Sequence, residues 1–265
     1  MRGIIFLLKI YKILLLLIVN IFFLLLGIGI KLLFYRNPAV GTRIMAFCSM
    51  LWAIALCRIF GIRLFIRGHY KEIQHCFIVS NHVSYLDILA LASVRPSVFI
   101  SKQEVKDWPL LGWLAQLGDT IFVNRNSKRS SLEALHKIEE VISCKVSIAI
   151  FPEGTTSDGS EIKEFRSSFF DVPARLKIPV QPVSIKYLSS NGDNPVAWYG
   201  DMYLLPHLWR ILGMRHIDVS LYFNPVIKDV KTGFSRAQDR KTLSSISHKS
   251  IKDGLSIPFH NLTGN

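Results

Sequence analysis

The sequence predicts an α/β fold: a mostly parallel mixed sheet flanked by helices, preceded by N-terminal helices that are membrane-embedded or interfacial. Three observations carry this expectation. Strand-sized apolar runs alternate with helix-like segments from about residue 64 onward. A long uncharged run lies near the start of the chain. Half of the 265 residues are hydrophobic while the formal net charge is +13, which fits contact with an apolar phase bounded by anionic headgroups.

Taken in order, the first element is the uncharged run from Ile13 to Ile30, 18 residues broken in polarity only by Asn20. As a helix it reaches about 27 Å, close to the hydrocarbon thickness of a bilayer. Lys9, Lys12, Lys31 and Arg36 flank it and are placed to snorkel toward headgroups. The run is longer than the apolar part of a signal peptide and no small-residue cleavage site follows promptly, so an anchor is expected. A second uncharged stretch, Ile44 to Cys57, has 14 residues. That length fits a re-entrant or interfacial helix, or else an ordinary helix of the globular body. Arg58, Arg63 and Arg67 follow, interleaved with apolar residues, and read as an element at headgroup level. Residues 1–63 are assigned to membrane attachment on these grounds.

Residues 64–227 carry the body. Cys76–Val79, Thr120–Val123, Val146–Phe151 and Val180–Ile185 are strand-sized and rich in β-branched residues. Between them, Leu86–Val94 and Ser131–Ser143 have helical length, and Leu132, Leu135, Ile138 and Ile142 form a core-facing stripe. From about Lys228 the chain turns polar, which fits a surface helix and a loose end over 228–265. The four cysteines, Cys48, Cys57, Cys76 and Cys144, have no CxxC spacing and read as buried hydrophobes in a reducing compartment. The sequon Asn261-Leu262-Thr263 has no other sign of secretion beside it.

The residues that bear chemistry cluster behind two of the strands, where ligands bind in α/β folds. Ser80-Asn81-His82-Val83-Ser84-Tyr85-Leu86-Asp87 runs from a strand through a polar turn into an apolar helix. Ser84 and Asp87 have the spacing of a helix capping box, which accounts for them without catalysis but leaves His82 unexplained. On one continuous helix, residues five apart point about 140° away from each other. His82 and Asp87 therefore meet only if the imidazole lies in the turn and the carboxylate in the first helical turn. The carboxylate then holds one ring nitrogen and leaves the other free as a base. Phe151-Pro152-Glu153-Gly154-Thr155-Thr156-Ser157-Asp158-Gly159 follows another strand. Its hydroxyls and amides can surround an anion, although a plain surface turn has the same composition. Arg125, after the strand ending at Val123, is a third candidate.

In order along the chain, Asn81-His82 through Asp87, Phe122-Val123-Asn124-Arg125, Phe151 through Thr155, and Ile178-Pro179-Val180-Gln181-Pro182-Val183 resemble the four sequence blocks of the glycerolipid acyltransferases. The likeness is greatest to the 1-acylglycerol-3-phosphate, or lysophosphatidic acid, acyltransferases. Each block alone is weak; four in order are specific. The resemblance implies a catalytic domain over 64–227, with His82 as base on the acceptor hydroxyl and Asp87 orienting it. Arg125 and the Glu153-Gly154-Thr155 turn are then expected to hold the acceptor's glycerol phosphate. Lys102 is expected to steady the charge that develops on the thioester oxygen. By the same resemblance the donor is acyl-CoA or acyl-carrier protein, the acceptor a lysophospholipid, and neither a metal nor a redox cofactor is needed. The expected location is the cytoplasmic membrane, with the catalytic domain on the cytoplasmic face. Many relatives carry Arg where this chain has Thr156, and Phe-Lys-x-Gly where it has Phe165-Arg166-Ser167-Ser168. The phosphate grip then shifts toward Arg125 and Arg166, and another lyso-lipid such as lyso-ornithine lipid becomes an alternative acceptor.

The chain has no G-x-S-x-G nucleophile elbow, so direct transfer without an acyl-enzyme is expected. Two other readings stay open: a thioesterase or lipase-like hydrolase using the same dyad, and a non-catalytic lipid-binding protein for which His82 and Asp87 are dispensable. Nucleic acid is not an expected partner, because the basic residues are dispersed among apolar ones without a zinc-finger, RNP-like or basic-zipper pattern. Gly27-Ile28-Gly29 lacks the third glycine of a dinucleotide fingerprint and lies inside the apolar run.

Overall fold

The computed structural model describes residues 2–71, 75–108, 110–124, 128–188, 194–228 and 235–257. The uncharged run and its flanks form one helix of 32 residues, α1 (Arg2–Leu33). One stripe of it, through Ile13, Leu16 and Val19, packs on the body, and Asn20 accepts a hydrogen bond from the Trp52 indole at 3.0 Å. The opposite face, including Leu14, Ile18, Phe22 and Leu25, is exposed. The flanking lysines do not reach outward as the sequence suggested. Lys12 Nζ donates to the carbonyls of Phe60 (3.3 Å) and Met214 (2.8 Å), where two helices end and their dipoles favour a cation. Lys9 lies over the Trp209 ring at 4.4 Å, and Lys31 pairs with Asp119.

α2 (Pro38–Phe60) opens with Pro38 at its first turn and the Asn37 side chain accepting from the Val40 N–H, and closes at Gly61 in the left-handed region. It is longer than the uncharged stretch Ile44–Cys57, and it buries Met45, Ala46, Ala53, Leu56, Cys57 and Phe60 against the body. Both α1 and α2 are long and apolar enough to cross a membrane.

The segment read as a headgroup-level element is instead a sheet strand, β1 (Ile62–Gly68), which corrects the expectation for Arg63 and Arg67. Side chains alternate between faces: Ile62, Leu64 and Ile66 share one face and pack on the core, while Arg63, Phe65 and Arg67 share the other, where Arg63 ion-pairs with Asp218. Gly68 has φ +81°, and a Cβ there would meet the Phe223 carbonyl at 2.1 Å, so only glycine lets the strand end lie so close.

The body then runs β2 (Phe77–Ser80), α3 (Leu86–Ala92), β3 (Ser97–Lys102), α4 (Leu111–Leu117), β4 (Ile121–Val123), α5 (Lys128–Ser143), β5 (Ser147–Ile150), α6 (Asp171–Leu176), β6 (Val180–Leu188), α7 (Leu204–Leu212), β7 (Ile217–Phe223) and α8 (Arg236–Leu255). The sheet order is β1-β7-β6-β2-β5-β3-β4. β6, β2, β5, β3 and β4 are mutually parallel; β7 runs antiparallel to β6, and β1 runs parallel to β7. This is the mostly parallel mixed sheet that the sequence predicts. Every residue of β2 and β5 is buried, as expected of strands covered on both faces. One core joins the sheet to α2 and α3; the other joins it to α5, α6 and α8. In α5, Ile138 is buried and Leu135 and Ile142 pack beside it, while the Leu132 side chain lies outside the described residues.

The polar C-terminal segment forms the expected helix, α8, which is docked on the body; the expected loose end beyond residue 257 lies outside the described residues. Leu243 and Ile251 are core residues, and the Ser184 hydroxyl donates to the Ile251 carbonyl at 2.8 Å. Cys57, Cys76 and Cys144 are buried thiols and Cys48 is half-buried, all four unbridged. The sequon at 261–263 lies outside the described residues. A Cβ on Gly254 would meet Ser184 Oγ at 2.3 Å and Asn224 Oδ1 at 2.6 Å. Gly254→Ala is therefore expected to lift the end of α8 and cost about 1–3 kcal/mol, read as a lower denaturation midpoint in detergent; an unchanged midpoint contradicts this packing.

Candidate active site

The chain brings two strand ends together where its connections diverge: β2 neighbours β5 on one side and β6 on the other. The loop after β2 carries His82, and the loop after β5 carries Phe151 to Gly159. Loops that diverge at such a switch point leave a crevice beyond the carboxyl ends of the strands.

The loop after β2 is shaped by Asp87, in the first turn of α3. Asp87 Oδ2 accepts from the backbone N–H groups of Val83 (2.6 Å) and Ser84 (2.9 Å), and it lies 2.8 Å from His82 Nδ1. One oxygen thus makes both the reach back to the Ser84 N–H and the contact with the imidazole, while the Ser84 hydroxyl accepts from the Leu86 N–H at 3.4 Å rather than from the Asp87 N–H of a full capping box. A carboxylate only accepts, so in the neutral tautomer this contact selects, Nδ1 carries the proton and Nε2 the lone pair. Asp87 is fully buried, whereas the His82 side chain is 16 % exposed. Its ring stacks on Phe151, with centroids 3.9 Å apart.

The backbone of His82 is held from the neighbouring loop. Its N–H donates to Glu153 Oε1 at 2.7 Å, and its carbonyl accepts from the Ser157 N–H at 2.9 Å. Glu153 Oε2 accepts from the Lys163 N–H at 3.0 Å. Glu153 is therefore turned inward as a brace between loops, which differs from the acceptor-holding position the resemblance implies. Gly154 makes the tight turn behind it with φ +74°, donating to the Phe151 carbonyl at 3.0 Å. Thr155 is exposed at the turn, and Arg166 is exposed with its N–H bound to the Pro152 carbonyl at 3.1 Å. Lys102 is exposed at the carboxyl end of β3, on the far side of β5 from His82. Arg125 lies outside the described residues.

Two further residues of the constellation were not singled out as functional from the sequence. Asn81 donates to the Ile185 carbonyl (2.9 Å) and accepts from its N–H (2.8 Å), tying the loop to β6. The Tyr187 hydroxyl donates to Asp87 Oδ1 at 2.7 Å. A tyrosine in line with Val183 and Ile185 on a buried strand was the available signal, since a buried phenol needs a polar partner. The hydroxyls of Ser80, Ser84 and Ser157 bond to backbone groups rather than to the imidazole. The arrangement suits a general base acting on a substrate hydroxyl.

Burial raises the Glu153 carboxyl above its ordinary value, against the pull of the two amides. The folded chain then keeps that proton to higher pH than the unfolded chain does. Stability from this group falls as pH climbs from the ordinary carboxylate range through the raised value. Glu153→Gln removes that slope, and it costs about 1–3 kcal/mol at neutral pH because an NH2 group then faces a backbone donor. Denaturation midpoints across a pH series check both; a variant with the parent slope contradicts the brace.

The chain matches the family model "Acyltransferase" over residues 63–186. It is 32% identical over 219 residues to a lyso-ornithine lipid O-acyltransferase of Rhizobium meliloti, covering 77% of this chain and 73% of that one. It is 32% identical over 176 residues to a 1-acyl-sn-glycerol-3-phosphate acyltransferase of Neisseria gonorrhoeae, covering 66% and 67%. The crystal structure of a 1-acyl-sn-glycerophosphate acyltransferase from Thermotoga maritima superposes with a TM-score of 0.64 at 19% identity, over 97% of this chain and 99% of that one, and so shares the fold. A His–Asp dyad at a strand-end crevice, on a chain this similar to them, places the protein in the acyltransferase family, as an O-acyltransferase.

Proposed function

We propose that the protein transfers a fatty acyl group from an acyl thioester to the free hydroxyl of a lyso-lipid at a membrane surface. The observation that carries this is the His82 Nδ1–Asp87 contact at 2.8 Å, which leaves Nε2 open in the crevice. In the proposed step Nε2 takes the proton as the lipid oxygen attacks the thioester carbonyl. The tetrahedral intermediate collapses, the sulfur leaves as thiolate, and the imidazolium returns the proton to it. Asp87 stabilises the transient imidazolium. Lys102, at the carboxyl end of β3, is assigned to the oxyanion, and Arg125, Arg166 and the Gly154-Thr155 turn to the acceptor headgroup. The donor carrier is acyl-CoA or acyl-carrier protein, with no metal or redox cofactor taking part.

An apolar cavity of about 610 Å³ supports an acyl substrate. It is lined by Leu16 and Trp52 of the N-terminal helices, Tyr85 and Phe99 of the body, and Leu114 and Leu208 of α4 and α7. Phe99 stacks on Phe151, which stacks on His82, so cavity and base share an aromatic wall. Each methylene buried there contributes about 0.8 kcal/mol.

The membrane geometry follows from α1. Its contacts with the body run from Lys9 to Lys31, about 33 Å of helix at 1.5 Å per residue. A helix docked over such a length carries the body with it, so its apolar outer face holds the crevice against the lipid. We assign the protein to the cytoplasmic membrane, catalytic face toward the cytoplasm.

For the acceptor, 1-acylglycerol-3-phosphate is the first reading, supported by the names of the Neisseria relatives. Lyso-ornithine lipid is the second, supported by the names of the Rhizobium, Brucella and Pseudomonas relatives and by Thr156 in place of an arginine.

The test is to offer purified protein one labelled acyl thioester with each lyso-lipid in turn and with none, and to weigh the products. Diacyl product with one of the two acceptors is expected, and His82→Ala is expected to lower its formation at least about a hundredfold. Free fatty acid released equally without acceptor points to a hydrolase, and full activity in His82→Ala refutes the base.

A further inference from the structure

Asp87 has two oxygens, and the imidazole and both amides converge on one of them. The other, Oδ1, accepts from the hydroxyl of Tyr187 at 2.7 Å, 100 residues away on β6. We propose that Tyr187 is a positioning residue of the acyl transfer, which fixes the plane of the Asp87 carboxylate and draws charge off the oxygen facing His82. This rests on the reading of His82 as the base.

The geometry supports a role beyond filling space. A phenylalanine would occupy the same core volume, so the hydroxyl is the part that needs an account. The terminal torsion of an aspartate is soft, and a carboxylate gripped at both oxygens loses that freedom. Tyr187 is buried and so does not meet a substrate in the crevice. It also lies on a braced strand: Asn81 binds both backbone groups of Ile185, the neighbour of Tyr187 on the same face of β6. The loop that bears His82 is thereby tied to β6 twice, once through backbone and once through the carboxylate.

The hydroxyl remains a neutral donor, since burial and then the Asp87 charge push it well above the ordinary phenol range. Cys57 from α2 and Tyr85 from the loop before α3 are the other titratable groups that face it. On the side of the His82 backbone stand Glu153 and Lys163 from the loop after β5. Removing the hydroxyl concentrates charge on Oδ2, which favours the imidazolium, and lets the carboxylate twist.

Tyr187→Phe is therefore expected to lower kcat about tenfold with KM for both substrates within about twofold, and to move the acid limb of the pH–rate profile up by about half a unit. In an Asp87→Asn background the same substitution should change kcat by less than about twofold, because its effect runs through the carboxylate. If Tyr187→Phe does not accumulate, 3-fluorotyrosine at position 187 alone keeps the hydroxyl as a stronger donor and should move the limb down. A merely structural tyrosine lowers the thermal midpoint and leaves the limb in place. A folded Tyr187→Phe with parent kcat and an unmoved limb, or an equal loss in both backgrounds, overturns the proposal. His82→Ala measured alongside separates the two levels. If it stays active the base itself is wrong; if it is dead and the Tyr187→Phe limb is unmoved, only this inference fails.

Discussion

Asp87 Oδ2 takes three hydrogen bonds at once, from the N–H groups of Val83 and Ser84 and from the His82 ring, and the geometry of the candidate site depends on that sharing. The two amide bonds give the loop its fold, and the third aims the imidazole, so loop shape and ring orientation cannot vary independently. With Tyr187 on the remaining oxygen, this buried carboxylate is satisfied by four donors. A buried carboxyl whose two oxygens are both met by donors escapes the cost of an unpaired buried polar group.

The second constraint is that His82 belongs to two loops. Its N–H and C=O are claimed by Glu153 and Ser157, from the loop after β5, while Asn81 beside it is claimed by β6. β5, β2 and β6 are adjacent in the sheet, so three strand ends fix one side chain. The pairing of β2 with β5 puts Phe151 against the imidazole, and the pairing of β5 with β3 puts Phe99 against Phe151; Phe99 in turn lines the apolar cavity between the body and α1 and α2. The N-terminal helices are thus walls of that cavity, and both are long and apolar enough to cross a membrane.

Much of this was legible in the sequence, and the failures have physical reasons. The strands at 76–79, 120–123, 146–151 and 180–185 announced themselves as short β-branched runs, and the dyad followed from asking how residues five apart can touch. Local spacing carried that argument. Tyr187 is 100 residues from Asp87, and no local pattern connects them; only the parallel pairing of β2 with β6 brings them together. β1 was misread because arginines among apolar residues look like an interfacial segment, when the apolar residues at 62, 64 and 66, all on one face of a strand, were the better guide. The lysines flanking the uncharged run were expected to seek headgroups, but Lys12 finds two helix ends that the sequence does not show to converge. Glu153 illustrates a different limit: a motif marks a residue without telling which way its side chain turns. Arg125 lies outside the described residues.

Direct transfer, with the imidazole as base and no acyl-enzyme, is the claim on which the mechanism turns. Intact-protein mass measurement, on samples quenched through turnover with a labelled acyl thioester and lyso-lipid, tests it most directly. The account predicts protein of unmodified mass at every time point while labelled diacyl lipid accumulates. A population heavier by one acyl group, forming and decaying at the rate of product release, would contradict it.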